Sequence, residues 1–474
     1  MTDLRKSAEE AENFRIWADG FLNFERTPRK DMFWLDTMKE LCASLGNPQD
    51  ASRSFHVAGS KGKGSVSSMI VGILSEAGYS TGLYASPHII DFAERIGGSD
   101  GFFPPETYRD ASVAVKSAFE KLSGEGKLDG RPVTWFELVT AYGMECFRRA
   151  GCSWAVYEVG LGGRLDSTNI IHPACCCINR IELEHTEYLG DTLEKIAAEK
   201  GGIIKDGVPV AVGRQTDDGV RRVLEGIARE KKSEILFIEK EVKISGIDYK
   251  IKRTDVLSKS NNSQPFNKNI HTDLSVSMDF RMESGLFSRP INASLRMPGD
   301  FQADNAALAS AAVKTVFPDL DESIIERGLS RASLPGRFEI TGKTESSTPI
   351  ILDGAHTPSS VRFTVDTFFR IFGKDSGAHL LFACAADKDV EDIAGLFSSG
   401  FEQLTLTVPG EAKASDLPRA ERAFKNAGLK FESFPDYRTG IGHALETAEK
   451  ERVPLLVAGS FYLVSEVKKM LGEQ

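Results

Sequence analysis

The chain has 474 residues and a formal charge of −10, with 41% apolar and 27% charged residues. This length predicts two or three domains, and no stretch reaches the roughly 20 apolar residues that a membrane helix needs. The acidic balance disfavours a broad nucleic-acid-binding surface, so an anionic substrate requires a locally basic site. The chain opens without a signal-peptide pattern, and its seven cysteines fit a reducing compartment. We therefore expect a cytoplasmic protein.

Short apolar runs alternate with helix-length amphipathic stretches from residue 54 to about residue 213. Four of these runs predict strands, at 55–58, 82–85, 154–159 and 174–181. Helices are expected over 66–77 and 136–147, and another is expected to begin at Asp191 with Glu194 completing a capping box. The alternation predicts a doubly wound, mostly parallel sheet of the phosphate-loop type. Cys175, Cys176 and Cys177 point alternately to opposite faces of a strand, which favours a structural role over metal binding.

The composition changes at residues 238–294, which are rich in Ser, Asn and Lys. Their alternating apolar positions predict a small sheet of short antiparallel strands with a mobile connection at 258–269. The strand and helix alternation then resumes. Its expected strands lie at 350–352, 379–384, 404–408 and 455–458. We therefore expect an N-terminal ATP-binding domain over 1–296 and a Rossmann-like α/β domain over 297–474.

The strongest local signal is a glycine-rich loop between the first strand and the helix that follows it. Its residues are Gly59, Ser60, Lys61, Gly62, Lys63, Gly64 and Ser65. Glycines let backbone N–H groups close around phosphate oxygens, and the helix N-terminus adds positive potential. Lys63 is expected to reach the terminal phosphates and Ser65 to hold Mg²⁺. The loop predicts a nucleotide site, although its spacing differs from GxxxxGK[ST] and an ordinary glycine-rich turn is the alternative.

Polar side chains also follow two other predicted strands. Glu158 ends one strand just before three glycines, and His185 follows the next. Because the carboxyl ends of parallel strands share one edge, Ser65, Glu158 and His185 are expected to face one crevice, with Glu158 as a Mg²⁺ ligand. The alternatives are a solvated carboxylate and a structural histidine. Lys200 ends the following helix, and composition alone favours an exposed helical lysine there.

A second group of polar residues lies in the C-terminal half. Arg337 follows a turn, and Asp353 and His356 lie at another predicted strand end. Phosphoryl transfer to a carboxylate brings anions together, so cations must neutralise charge before attack. We expect these residues to form a second phosphate-facing wall that domain closure brings into use. The alternative is that they are ordinary turn residues of an α/β domain.

Together these motifs resemble folylpolyglutamate synthase and bifunctional dihydrofolate synthase, relatives of the Mur ligases, from about residue 45 to residue 471. The matching segments are HVAGSKGKGS (56–65), SPHIIDFAERI (86–96), TWFE (134–137), EVGLGGRLDSTN (158–169), HTEYLG (185–190), AEKGGIIK (198–205), PGRFE (335–339) and DGAH (353–356). The chain departs from the family's usual Asn, Asp, His and Asn at four positions, which are Lys61, Glu184, Phe301 and Thr357.

The resemblance implies that ATP phosphorylates a folate or dihydropteroate carboxylate and that L-glutamate then attacks the acyl phosphate, releasing ADP and phosphate. It implies two Mg²⁺ ions with Ser65, Glu158 and His185 as ligands, and carbamylation of Lys200. It also implies a set of ATP contacts in a C-terminal wall: Gln302, Asn305, Arg337, Asp353 and His356. The implied substrate contacts are Ser86, Pro87, His88, Arg95 and Asp166.

Other functions stay open at this point. A Mur ligase acting on a cell-wall precursor is the alternative within the enzyme class, but the phosphate loop begins after only 58 residues, which leaves no room for the usual uridine-nucleotide domain. A nucleotide-binding protein without ligase activity is the rival from another class. The sequence does not decide between dihydrofolate synthesis, extension of the glutamate tail and both. We expect a monomer with small-molecule substrates and no nucleic-acid or membrane partner.

Overall fold

The computed structural model describes residues 2–23, 34–128, 132–257, 270–341, 348–411 and 413–472. The chain divides into two compact units. The first unit comprises Met1–Gly246, Phe280–Ala293 and Gln302–Ser333. The second unit comprises Ile247–Asp279, Ser294–Phe301 and Leu334–Gln474. No helix of the described residues is long and apolar enough to cross a membrane.

A seven-stranded sheet forms the centre of the first unit. Its strands are β1 (Arg53–Ala58), β2 (Thr81–Tyr84), β3 (Ile96–Gly97), β4 (Trp154–Glu158), β5 (Cys175–Ile178), β6 (Val210–Val212) and β7 (Ile235–Phe237). The spatial order is β3-β2-β4-β1-β5-β6-β7, and every neighbouring pair is parallel except β2 with β3. Strands β4, β1 and β5 are therefore adjacent, and the three predicted phosphate and metal segments follow their carboxyl ends.

Helices connect these strands and continue beyond them. They are α1 (Thr2–Ala18), α2 (Asp36–Ser44), α3 (Lys63–Glu76), α4 (Pro105–Gly124), α5 (Trp135–Arg149), α6 (Thr186–Leu189), α7 (Leu193–Gly201), α8 (Asp218–Glu230), α9 (Ile238–Glu241), α10 (Asp300–Val316) and α11 (Glu322–Arg331). Helix α7 begins one step later than expected, because the Thr192 hydroxyl accepts the Lys195 N–H at 3.3 Å. The predicted capping box of Asp191 and Glu194 was therefore wrong.

The packing of α11 explains why residues 302–333 belong to the first unit rather than to the expected domain that begins at residue 297. Gly72 of α3 faces Gly328 of α11, and a Cβ atom on Gly72 would lie 2.5 Å from the Gly328 carbonyl oxygen. The two helices can approach backbone to backbone only because both positions are glycine. The compact units are made of several chain segments, so they do not correspond to a single boundary at residue 297. The boundary between the functional domains stays a prediction.

The region between the two α/β parts forms a small three-stranded sheet. Its strands are β8 (Val242–Leu257), β9 (Ile270–Ser284) and β10 (Ile291–Leu295), in the order β10-β9-β8. The expected small antiparallel sheet is confirmed. The first two strands have 16 and 15 residues, so the expectation of short strands was wrong. The connection at 258–269 lies outside the described residues.

The second unit contains a six-stranded sheet. Its strands are β11 (Glu339–Thr341), β12 (Ile350–Leu352), β13 (Ala378–Phe382), β14 (Phe401–Leu406), β15 (Glu432–Ser433) and β16 (Leu455–Ala458). Their order is β11-β12-β16-β13-β14-β15, and only the β11 and β12 pair is antiparallel. The helices are α12 (Pro358–Phe372), α13 (Val390–Ala394), α14 (Leu417–Asn426), α15 (Tyr437–Glu451) and α16 (Phe461–Met470). The expected second α/β part is confirmed.

Candidate active site

The phosphate loop adopts a backbone that requires glycine at two positions. It runs from the end of β1 to the start of α3, and Gly59 and Gly62 have φ angles of 147° and 73°. A Cβ atom on Gly62 would lie 2.4 Å from Nδ2 of Asn179, so the position has no room for a side chain. Lys63 is the first residue of α3, and its Nζ donates to the Gly59 carbonyl oxygen at 3.0 Å. The lysine therefore folds back along the loop.

Ser60 fixes the loop to the chain after β5. Its hydroxyl donates to the Glu182 carbonyl oxygen and accepts the Glu182 N–H, both at 3.0 Å. Its own N–H donates to the Arg180 carbonyl oxygen at 2.9 Å. Ser60 is therefore held by protein partners, whereas the role of Ser65, which is buried in the first turn of α3, stays a prediction.

Three lysines surround the carboxylate of Glu184. The Nζ of Lys200 lies 3.0 Å from Oε1 of Glu184 and 3.0 Å from the Gly59 carbonyl oxygen. The Nζ of Lys61 lies 3.9 Å from Oε2 of Glu184. Lys200 is only 1% exposed, so the reading of an exposed helical lysine was wrong. Burial and the charge of Lys63 lower the pKa of Lys200 to about 8.

The charges of the neighbouring lysines also affect the pKa of Glu184. Burial acts to raise the pKa of this carboxyl group, but Lys200, Lys63 and Lys61 together hold the pKa below its ordinary value. Glu184 is therefore an ionised carboxylate inside a cationic cluster. This arrangement matches the need for positive charge where phosphate oxygens gather.

The predicted metal ligands follow neighbouring strands. Glu158 is the last residue of β4 and is 5% exposed, and its Oε2 accepts the Ser86 N–H at 3.1 Å. His185 has a φ angle of 46° and directly precedes α6. No group of three His, Cys, Asp or Glu residues among the described residues could hold a metal ion. Mg²⁺ usually takes one or two carboxylates and completes its shell with phosphates and water, so this sparse donor set fits it.

The predicted substrate segment is held together by its own side chains. Nε of Arg95 lies 2.8 Å from Nδ1 of His88, and the Arg95 guanidinium lies 5.0 Å from the centre of the Trp135 ring. Ser86 precedes a cis peptide bond to Pro87 and also contacts Glu158. The structure thus brings this segment beside the predicted metal ligand at the end of β4.

Gln302 and Asn305 lie in the first unit rather than in a C-terminal wall. The Asn305 Oδ1 accepts from Nδ2 of Asn179 at 2.7 Å, and the Asn305 Nδ2 donates to Oε1 of Gln302 at 2.8 Å. Asn179 also packs against Gly62 of the phosphate loop. Sequence reasoning missed Asn179, although an amide residue directly after a buried strand was a usable signal.

Arg337, Asp353 and His356 form a local cluster in the second unit. The two oxygens of Asp353 accept the N–H groups of Phe338 and Ala355, both at 2.8 Å. Burial raises the pKa of Asp353, and the charge of Arg337 opposes that change. The Arg337 guanidinium lies 4.5 Å from the centre of the ring of Phe461, a contact that the sequence did not predict. Nδ1 of His356 lies 2.8 Å from the Gly354 carbonyl oxygen.

The fold and the phosphate loop define an ATP-dependent ligase of the Mur type, and comparisons with known proteins agree. The model of the family described as Mur ligase, glutamate ligase domain, matches residues 336–461. The folylpolyglutamate synthase of Lacticaseibacillus casei is 30% identical over 437 residues, which cover 91% of this chain and 92% of that protein. The chain therefore belongs to the folylpolyglutamate synthase/dihydrofolate synthase family.

Further relatives share this similarity. A Haloferax volcanii protein described as a probable bifunctional folylpolyglutamate synthase/dihydropteroate synthase is 31% identical over 440 residues. The aligned region covers 91% of this chain but only 48% of that relative. The crystal structure of folylpolyglutamate synthase from Thermotoga maritima matches with a TM-score of 0.75 at 29% identity over 94% of both chains. A solved AMPPCP-folate complex of a folylpolyglutamate synthase matches with a TM-score of 0.76 at 25% identity over 97% of this chain and 99% of its own.

Proposed function

We propose that this chain uses ATP and Mg²⁺ to add L-glutamate to a carboxylate of a folate or of dihydropteroate. ATP transfers its γ-phosphoryl group to the carboxylate and leaves as ADP, and the amine of glutamate then attacks the acyl phosphate, forms the amide bond and releases phosphate. The main support is the lysine-lined phosphate loop at the central strand of the first unit, in a chain whose family includes synthases of this kind. Cations at this position would neutralise the phosphate charge that otherwise repels a carboxylate.

The proposed roles in the first unit follow from chemistry at the strand ends. Lys63 would contact the terminal phosphates, and Ser65, Glu158 and His185 would hold Mg²⁺. The metal ions would supply further neutralisation of phosphate charge. We also propose that Gln302 and Asn305 contact the nucleotide. The pairing of Asn305 with Asn179, which touches the phosphate loop, supports this role.

The proposed roles of the remaining polar residues rest on their local clusters. In the second unit, the residues that would contact ATP are Arg337, Asp353 and His356. Ser86, Pro87, His88 and Arg95 would contact the pterin-bearing substrate. We further propose that the protein acts as a cytoplasmic monomer, which its seven free and buried cysteines would suit.

We also propose that CO₂ carbamylates Lys200. Only the neutral amine attacks CO₂, which forms an N–C bond and releases one proton to solvent. A pKa of about 8 gives Lys200 far more neutral amine near neutral pH than an ordinary lysine has. The charges of Lys61 and Lys63 would then balance the new anion beside Glu184. Protein equilibrated with ¹³C-bicarbonate should show a carbamate carbon resonance that is absent from Lys200→Ala. Equal spectra for the two proteins would exclude carbamylation.

The test of the overall function is ADP release in the presence of ATP, Mg²⁺ and L-glutamate. Dihydropteroate, tetrahydrofolate and a uridine-linked cell-wall precursor are offered separately, with Lys63→Ala as the control. If only dihydropteroate is turned over, the protein is a dihydrofolate synthase. If only tetrahydrofolate is turned over, it is a polyglutamate synthase, and turnover of both substrates indicates the bifunctional enzyme. Turnover with the uridine compound alone would support the Mur alternative. ATP binding without any turnover would support a nucleotide-binding protein that lacks ligase activity.

A further inference from the structure

We propose that Thr168 and Asn169 are positioning residues that fasten the glycine-rich loop 159–169 to two elements of the site. Thr168 ties the loop to His56 in β1, the strand that leads into the phosphate loop. Asn169 ties it to Lys205, just beyond the helix that carries Lys200. Asp166 acts inside this fastening rather than as a substrate contact. The kinetic consequences rest on the proposed function, whereas the structural consequences do not.

The contacts of Asp166 support this reassignment. One carboxylate oxygen, Oδ2, accepts the N–H groups of Gly160 at 3.0 Å and Leu161 at 2.9 Å. The other, Oδ1, accepts the Thr168 N–H at 3.1 Å and the Thr168 hydroxyl. Asp166 is 5% exposed, and burial raises its pKa while these four hydrogen bonds oppose the change. A carboxylate with four donors from its own loop has little capacity left for a substrate.

The hydrogen bond between His56 and Thr168 has a definite direction. The Thr168 hydroxyl gives its single hydrogen to Asp166, so at the 2.8 Å contact with Nε2 of His56 it must accept. Nε2 of His56 therefore carries a hydrogen. Burial and the charge of Lys205 lower the pKa of His56 to about 3, which agrees with a neutral ring. Nδ1 of His56 is buried without a partner among the described residues, which a bare lone pair tolerates better than an N–H group would.

Asn169 makes the second attachment. Its Nδ2 donates to the carbonyl oxygens of Arg164 at 3.0 Å and Gly202 at 3.1 Å. Nζ of Lys205 donates to the Asn169 carbonyl oxygen at 2.8 Å and to its Oδ1 at 2.7 Å. The Arg164 N–H also donates to the Glu199 carbonyl oxygen at 2.8 Å. The loop is thus hydrogen-bonded to Glu199 and to Gly202, which flank Lys200 and Gly201 in the chain.

The loop packs closely against α7 at Gly163. A Cβ atom on Gly163 would lie 2.9 Å from the carbonyl oxygens of Glu199 and Lys200. The loop begins directly after Glu158, so a shift of the loop would displace the predicted metal ligand and the buried lysine together. Small displacements of reacting groups can cost about 100-fold in rate. His56, Thr168 and Asn169 therefore couple the two ends of the site through the loop.

The test compares Thr168→Val with Thr168→Ser and with a matched control. Thr405 accepts or donates a hydrogen bond of 2.8 Å with Nε2 of His379 in the second unit, and Nδ1 of His379 is also buried without a partner among the described residues. Thr405→Val therefore removes the same kind of buried contact from a strand that does not carry the loop. Lys205→Met is a second loop variant, in case Thr168→Val folds poorly.

The first readout is amide hydrogen exchange of the full-length protein without ligands. Peptides that cover residues 159–166 should exchange faster in Thr168→Val, because Gly160 and Leu161 lose a fixed acceptor when Asp166 is released. Thr168→Ser and Thr405→Val should leave these peptides as in wild type. Unchanged exchange in both Thr168→Val and Lys205→Met would overturn the proposal, and this result does not depend on the substrate.

The second readout is steady-state ADP release. Thr168→Val should lower kcat about 10- to 100-fold with a much smaller change in KM for ATP, and Thr168→Ser should restore most of kcat. Thr405→Val should behave as wild type after correction for the folded fraction. A loss of kcat in Thr405→Val as large as that in Thr168→Val would reduce Thr168 to a purely structural role. If wild-type protein shows no turnover at all, the proposed function fails and the exchange data alone decide on the loop.

Discussion

Replacing Lys200 with methionine should abolish a pH dependence of stability that its buried amine creates. Lys200 is 1% exposed, and its pKa falls from an ordinary 10.5 to about 8. A pKa change of one corresponds to about 1.4 kcal/mol, so this lysine should alter the free energy of unfolding by ~3 kcal/mol. The effect arises because folding transfers the amine from water to a buried position near the charges of Lys63 and Lys61.

The sign follows from proton binding. The unfolded chain keeps the lysine proton up to pH 10.5, whereas the folded protein releases it near pH 8. Between these values the unfolded state binds more protons, so the free energy of unfolding rises with pH. Below pH 8 the folded protein carries the full cost of a buried ammonium. Above pH 10.5 both states are neutral and the cost is absent.

The assay is urea unfolding of wild type and Lys200→Met at a series of pH values between 8 and 10.5, in buffers purged of CO₂ so that Lys200 stays an amine. Subtracting one curve from the other cancels the titration of all groups that the two proteins share. Wild type should gain ~3 kcal/mol relative to the variant across this window. As a control, Glu184→Gln removes the carboxylate that favours the charged lysine, so it should extend the lower end of the window to lower pH while the upper end stays at 10.5. A difference between the two proteins that stays constant with pH would refute the reasoning.

Two further predictions concern a buried ion pair of the first unit and the phosphate loop. Lys314→Met should lower the free energy of unfolding by ~3–5 kcal/mol because the Glu322 carboxylate, which is 3% exposed, loses its cation at 3.0 Å. Adding Glu322→Gln, which removes the buried charge and keeps an acceptor for the Ser288 N–H, should recover part of the loss in urea unfolding. Gly62→Ala should weaken ATP binding at least ~10-fold by calorimetry, since the new methyl group would meet Asn179 at 2.4 Å. Gly226→Ala, which meets no atom within 4 Å in α8, is the control and should bind normally. Single and double variants of equal stability, or normal binding by Gly62→Ala, would contradict these expectations.

Local signals in the sequence were sufficient for the phosphate loop and for most strands. The spacing of glycines and lysines in residues 59–65 reports directly on backbone conformation, because φ angles such as that of Gly62 favour glycine over residues that carry a Cβ atom. The run of three cysteines became β5 and is fully buried, as its apolar character predicted. Features of this kind depend on near neighbours in the chain, so they can be read without a structure.

Features that depend on distant contacts could not be read in this way. The placement of α10 and α11 in the first unit depends on the approach of Gly72 to Gly328, two glycines that carry no pattern in sequence. The burial of Lys200 depends on the Gly59 carbonyl oxygen and on Glu184, which belong to other segments. Composition favours exposure for any helical lysine, and the long-range partners overrode that preference.

Two departures from the family's motifs, one in the phosphate loop and one in the segment after β5, form an ion pair with each other. Lys61 stands where the family has Asn and Glu184 where it has Asp, and one carboxylate bonds both Lys61 and Lys200. Glu184→Asp alone shortens the side chain by one methylene and should break the contact with Lys200. Lys61→Asn alone should leave Glu184 with one cation fewer.

Because both changes act through one carboxylate, their effects should not add. Lys61→Asn combined with Glu184→Asp restores the family's residues at both positions and should recover activity that either single variant loses. Measured as kcat/KM for ATP, the coupling free energy should lie between ~0.5 and 3 kcal/mol. Additive losses would mean that Lys61 and Glu184 act independently. In that case the presence of Glu rather than Asp at position 184 would not be explained by Lys61. The 3.9 Å contact between Lys61 and Glu184 would then contribute nothing to activity beyond the contact of Glu184 with Lys200.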